Sequence, residues 1–282
     1  MPDTIETLGR SRIQHGKDSD RVYLMKLDPA DGPSIVDRME QLAEAHDYGK
    51  IFCKVPVGSI GPFMRAGYVE EARVRRFFDG NIDAAFISRF RKPLRAELND
   101  AERTAIEETL SLARAKQDDV SSGPATGYTI RRLREEDAAP LAALYRVVFP
   151  SYPFPIFDPD YLRRTMTEHI RYYGAFGVDA LASASSAETD FDGRNAEMTD
   201  FATAPEHRGH GLAVRLLRAM EEDMTTSGFA LAYTIARAVS VGINVTFARC
   251  GYRFAGTLVN NTQISGRIES MNVWYKSLRS TS

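Results

Sequence analysis

Residues 205–213 read Pro205-Glu206-His207-Arg208-Gly209-His210-Gly211-Leu212-Ala213. The run Met198-Thr199-Asp200-Phe201-Ala202-Thr203 before it has strand character, and an amphipathic helix is predicted over 211–226, burying Leu212, Leu216, Leu217 and Met220. Two glycines let the backbone turn tightly and come close to a ligand, because no Cβ stands in the way. A helix that begins there presents unpaired N–H groups and the positive end of its dipole, an arrangement that suits a diphosphate. Arg208 and His210 add donors beside it.

The bulk properties narrow the setting. A chain of 282 residues holds one large or two modest domains. A formal net charge of −2 gives no field that would gather nucleic acid or an anionic membrane. No apolar run reaches membrane-spanning length. Met1-Pro2-Asp3-Thr4-Ile5-Glu6 is acidic and lacks the apolar stretch of a signal peptide, and Cys53 and Cys250 lie far apart in apolar contexts, so a reduced cytoplasm is expected. The five histidines have no zinc-like spacing, and no metal is expected. Arg89, Arg91, Lys92 and Arg95 read as a solvated basic face without the aromatic platform of a nucleic-acid site.

Outward from the glycine turn, an α/β chain in two parts is expected. Residues 121–127, Ser121-Ser122-Gly123-Pro124-Ala125-Thr126-Gly127, read as a linker between an N-terminal α/β domain (1–120) and a second domain (128–282). A helix over 99–117, with Asn99 or Asp100 as N-cap, closes the first. The second runs strand, helix, a proline- and aromatic-rich segment over 149–161, helix, three strands, the glycine turn and its helix, strand, helix and two strands. An internal echo links the parts: Phe63-Met64-Arg65-Ala66-Gly67-Tyr68 matches Phe247-Ala248-Arg249-Cys250-Gly251-Tyr252. Each copy is flanked by strand-like runs, but the first lacks a glycine-rich turn, so one cofactor site per chain is expected.

Arg208-x-x-Gly211-x-Ala213, in this strand–turn–helix setting, resembles the acetyl-CoA signature of the GCN5-related N-acetyltransferases (GNAT), and the element order over 128–282 agrees. The resemblance implies a GNAT fold, a central mixed sheet flanked by helices, and the internal echo makes the N-terminal domain a candidate degenerate half of the same fold. Longer strings narrow it further: Ile13-Gln14-His15-Gly16-Lys17, Arg21-Val22-Tyr23-Leu24, Tyr152-Pro153-Phe154-Pro155-Ile156, Tyr233-Thr234-Ile235-Ala236-Arg237, Asn260-Asn261-Thr262 and Met271-Asn272-Val273-Trp274. Together these look like the β-lysine N-acetyltransferases over nearly the whole length. That family implies acetyl-CoA as cosubstrate, a small-molecule amine as acceptor and Nε-acetyl-β-lysine, a compatible solute of osmoadaptation, as product. Another amine (a polyamine, a diamino acid or a protein lysine) and a catalytically silent acyl-CoA-binding module are the alternatives, and a homodimer is left open.

The chemistry selects site candidates. A lysine-type amine has a pKa near 10.4, so on the order of one molecule in a thousand is neutral at pH 7. A base must take its proton. Glu197, on the strand before the turn, is the first choice, and strict alternation puts Asp200 on the opposite face unless a bulge intervenes, so both are kept. Asp200 has a second reading as the partner of a substrate ammonium. The resemblance places the cosubstrate against Phe201, Ala202, Thr203, Arg208, Gly209, His210, Gly211, Leu212, Ala213, Asn244 and Phe247. Phe247 stands where the family's thiolate-protonating tyrosine usually lies, with Tyr252, Tyr233 and Tyr275 as substitutes. Tyr152, Phe154, Tyr233, Asn260, Asn261 and Asn272 are the substrate-binding candidates.

Overall fold

The structure, a computed structural model, describes residues 3–32, 34–119, 127–178 and 180–279. All but Gly127 of the expected linker lies outside them. Strands β1 (Thr4–Leu8), β2 (Ser11–Gly16) and β3 (Arg21–Lys26) form an antiparallel meander. Helix α1 (Ile35–Ala45) carries the chain across to β4 (Lys50–Pro56), parallel to β3. The short α2 (Gly61–Arg65) leads into β5 (Val69–Phe78) and β6 (Ile82–Phe90), and α3 (Asp100–Ala115) follows. The C-terminal half comprises β7 (Thr129–Arg132), α4 (Ala138–Val148), α5 (Pro159–Glu168), β8 (Ile170–Phe176), β9 (Leu181–Asp190) and β10 (Asn195–Thr203). It ends with α6 (Leu212–Thr226), β11 (Leu231–Arg237), α7 (Val241–Arg249), β12 (Arg253–Ile264) and β13 (Arg267–Ser277).

All strands join one 13-stranded mixed sheet, in the order β1-β2-β3-β4-β6-β5-β12-β13-β11-β10-β9-β8-β7. The run β1-β2-β3-β4-β6-β5 repeats the order β8-β9-β10-β11-β13-β12, with a parallel pair at the same place in each. The sequence echo falls at equivalent turns. Tyr68 N–H donates to the Phe63 carbonyl and Tyr252 N–H to the Phe247 carbonyl, both at 3.1 Å. Gly67 and Gly251 share φ +83°, and each Phe–Tyr pair packs edge to face.

The halves are welded rather than tethered. Strands β5 and β12 pair at Ala72 and Gly256, where a Cβ on Gly256 would meet the Glu71 carbonyl oxygen at 2.1 Å. Only glycine permits that approach, and its φ of +152° also favours glycine. A shared apolar cluster joins Phe52, Val74, Phe77 and Phe86 to Leu231, Leu258, Met271 and Val273. Beside it, fully buried Lys50 donates to Glu71 (2.8 Å) and to the Val259 carbonyl (2.7 Å), and Glu71 accepts from Val259 N–H (2.6 Å). Burial pushes the Lys50 amine down to about 8, against the pull of Glu71. The basic stretch is corrected here. Arg95 is buried and donates to the Asn260 carbonyl (2.7 Å), while Arg89 and Arg91 pair with Glu40, so these cations fasten the fold rather than form a solvated face.

Helix α3 starts as expected, with Asn99 and Glu102 making a reciprocal capping box. Although it belongs to the N-terminal stretch by sequence, its apolar face (Ile106, Leu110, Ala113) joins the core of the C-terminal half and packs on α7. Both cysteines are buried and unpaired.

Candidate active site

Parallel strands β10 and β11 pair only from Asn195–Leu231 to Glu197–Tyr233, and then part. A bulge follows on β10, where Asp200 and Phe201 together oppose the one residue of β9 between Ser186 and Ala184. Asp200 takes φ +56° there. Splayed strands and a bulge open the sheet, and a cavity lies on each side of the opening.

The first cavity, about 770 Å³, is lined by Phe201, Thr203, Arg208, Gly209, Gly211, Leu212 and Ala213. Gly211 sits at φ +67° immediately before α6, with no atom within 4 Å of where a Cβ would stand. No side chain caps the helix, so its first N–H groups remain available to an anion. The glycine turn thus has the shape, the open space and the donors that a diphosphate needs.

Four expected cosubstrate contacts are corrected. Ala202 is buried in the core under α4. The His210 ring turns back onto the carbonyls of His207 and Arg208 and does not line the cavity. Asn244 is fully buried: its amide nitrogen donates to the carbonyls of Arg237 and Ser240, and its oxygen accepts from Asn272 and Trp274. Phe247 is fully buried, edge-on to Phe201 and Tyr252. Both residues build the wall from behind.

The second cavity, about 800 Å³, is lined by both halves of the chain. The C-terminal half supplies Tyr152, Phe154, Glu188, Glu197, Tyr233 and Asn261, and the N-terminal half supplies Gln14, Arg21, Tyr23, Lys54 and Phe77. The two cavities share Tyr152, Thr199, Ile235, Ile264 and Met271, so they meet at that point of the sheet.

Glu197 projects into the second cavity, opposite Glu188 in the β9–β10 register. Enclosure by the walls raises the pKa of both carboxyls, and their mutual repulsion raises Glu188 further, to about 8. Lys54 and Arg21 oppose the rise at Glu197. Lys54 donates to the Tyr233 hydroxyl at 2.6 Å, and that hydroxyl hydrogen-bonds Glu197. Asp200 lies on the first cavity instead. Its carboxylate accepts from the hydroxyls of Tyr152 and Ser186 (2.6 Å for the latter), so it is occupied by hydroxyls rather than open to a substrate ammonium.

Two further substrate contacts are corrected. Asn260 sends its amide to the carbonyls of Leu94, Arg95 and Glu97, tying β12 to the N-terminal half. Asn272 is fully buried, bonded to Asn244 and Thr257. Of the substitute tyrosines, only Tyr233 lines a cavity; Tyr252 is fully buried and Tyr275 lies elsewhere. Sequence reasoning missed Glu188, Lys54, Arg21, Gln14 and Tyr23. The available signal for Glu188 was a carboxylate directly after the small-residue run 182–187, and Gln14 and Arg21 stand inside strings that carried the resemblance.

A strand, a bulge, a glycine turn and an uncapped helix facing a carboxylate-lined cavity define the class: residues 129–254 match the acetyltransferase (GNAT) domain family. The chain is 34% identical to the β-lysine N(6)-acetyltransferase of Methanococcus maripaludis over 97% of its own length and 98% of that protein. It is 32% identical to the enzyme of that name from Methanosarcina mazei, over 86% of this chain and 97% of that one. It therefore belongs to the β-lysine N(6)-acetyltransferase family of GNAT enzymes. Among solved structures it is similar to the ribosomal-protein-S18-alanine N-acetyltransferase of Escherichia coli, at 14% identity and a TM-score of 0.48, over 55% of this chain and 96% of that one. Among the described residues no helix is long and apolar enough to cross a membrane, and no group of three or more His, Cys, Asp or Glu is placed to hold a metal ion.

Proposed function

We propose that this chain transfers the acetyl group of acetyl-CoA to the side-chain amine of β-lysine. The observation that carries the reading is the meeting of the two cavities at Tyr152 and Thr199, with the glycine turn on one side and the Glu188–Glu197 pair on the other. The names of the full-length relatives support the choice of acceptor.

In this reading the glycine turn and the first N–H groups of α6 hold the diphosphate. The acceptor ammonium enters from the second cavity and gives a proton to the carboxylate pair. A carboxyl near 8 is a better match to an amine of pKa near 10.4 than an ordinary carboxylate. The freed amine attacks the thioester carbonyl, the C–S bond breaks, and the electron pair leaves on sulfur. In this reading a backbone N–H at the β10 bulge would stabilise the oxyanion. The tetrahedral nitrogen gives up its second proton as the C–S bond breaks; Tyr152 is the hydroxyl at the junction, and we assign it the relay, its O–H turning from Asp200 to the thiolate while its oxygen takes the nitrogen's proton.

Acetylation removes one positive charge and leaves a zwitterion of zero net charge, a property suited to a compatible solute held in the cytoplasm. The N-terminal half is a degenerate second copy of the same unit. Its repeated strand order and Phe–Tyr turn support that origin, and the acidic stretch before α1 replaces a glycine turn. The test is thiol release from acetyl-CoA with β-lysine, α-lysine or spermidine as acceptor. Turnover with β-lysine alone is expected, and equal turnover with spermidine would replace this acceptor by a polyamine.

A further inference from the structure

The wall of the second cavity built from β2, β3 and the β12 bulge has no role in the chemistry above. Arg21 is 4% exposed and makes no ion pair within 4 Å among the described residues, although the Asp3 carboxylate lies near enough to favour its charge. Its Nη1 donates to the Asn261 carbonyl (2.8 Å) and its Nη2 to Gln14 Oε1 (3.2 Å), while Nε has no partner. Gln14 is 1% exposed; with its oxygen engaged by Arg21, its amide nitrogen is left unpaired. On the facing β12 bulge, Asn261 Oδ1 and Thr262 Oγ1 are buried without partners.

An unpaired buried polar atom costs stability, and an unpaired buried cation costs more. Four such atoms belong to residues that line one cavity wall. They are also sorted by chemistry. The N-terminal half contributes two donors, one of them on a permanent cation. The C-terminal half contributes an amide oxygen and a hydroxyl, which accept. An anion beside a cation satisfies all four.

We propose that this wall reads the amino-acid end of the acceptor: Arg21 and Gln14 bind its carboxylate, and Asn261 and Thr262 bind the neighbouring ammonium. The proposal rests on the reading of the site as a β-lysine acetyltransferase. It makes the N-terminal half the part that separates an amino acid from a simple diamine. Arg21 also lies near enough to Glu197 for each charge to shift the other's pKa, so one extended molecule can span the wall and the base.

The test compares kcat/KM for β-lysine and for pentane-1,4-diamine, the same skeleton without its carboxylate. In the parent full-length enzyme the ratio should favour β-lysine by about 100-fold or more. Arg21→Met and Gln14→Leu should each lower that ratio by about tenfold or more, and Arg21→Lys should restore part of it. Gln14→Leu covers the case in which Arg21→Met fails to fold, and thermal unfolding identifies that case. A parent enzyme that acetylates the diamine but not β-lysine would overturn the functional reading and this proposal together. A parent active on β-lysine, with both variants keeping its ratio, would overturn the proposal alone.

Discussion

Glu188 and Glu197 stand directly opposite each other across the antiparallel β9–β10 ladder, two carboxylates facing one cavity. Like charges so placed cannot both ionise cheaply. The two are coupled, so their titration belongs to both residues. A base must be unprotonated to act, so kcat/KM should fall as pH drops below about 8, the value to which Glu188 is raised. Replacing either residue by Gln removes the repulsion and lets the survivor ionise at lower pH. Each variant should lose about 10²–10⁴-fold in kcat and shift its acid limb downward. Unchanged rate–pH profiles in both variants would remove the pair from catalysis.

Asp200→Asn should act through Tyr152. An amide offers one acceptor oxygen where two hydroxyls now donate, to different carboxylate oxygens. The variant should lose about 1–3 kcal/mol in stability and lower kcat, with little change in the β-lysine KM. A large rise in that KM with kcat preserved would restore the ammonium-binding role.

Gly211→Val should raise the acetyl-CoA KM by tenfold or more, on the order of a lost diphosphate contact. The new side chain fills open cavity space, and φ +67° strains any β-branched residue. Calorimetry on the parent should show a single acetyl-CoA per chain, because among the described residues a glycine turn of this kind opens only α6. A stoichiometry of two would place a second site in the N-terminal half.

Gly256→Ala is a test of the weld. Its methyl group would collide with the Glu71 backbone, which has no flexible end to yield. A loss of about 2–3 kcal/mol is expected from thermal or urea unfolding, with the acceptor KM rising more than that of acetyl-CoA. Parent-like stability would mean that the seam relaxes freely.

The cofactor side was legible because its signals are local. Gly211, the helix after it and the strand before it lie within one short stretch, and strict alternation along β10 already put Glu197 and Asp200 on opposite faces, where they line different cavities. The acceptor side depends on register. Glu188 meets Glu197 only once β9 is paired, and Lys54 meets Tyr233 only once β4 lies beside the C-terminal half. Asn244 and Asn272 were misjudged for a related reason. An asparagine in a strand or helix suggests use, but here the use is internal: the two amides bond each other and the Trp274 indole. Tyr152 illustrates the mixed case: its proline-rich segment pointed to the acceptor, but its hold on Asp200 follows from the bulge.

The β5–β12 seam divides the enzyme's tasks unequally. In the proposed reading, the cavity assigned to the thioester is lined by one half of the chain, whereas the cavity assigned to the acceptor is lined by both. Residues on β2, β3 and β4 can therefore change without disturbing the glycine turn, the bulge or the helix that opens α6. An ancestral duplication that lost its own cofactor site would in this way have become a replaceable mould, pressed against an unchanged catalytic face. New acceptors would then arise by recutting that mould, and the cost of each trial would fall on the half that does no chemistry.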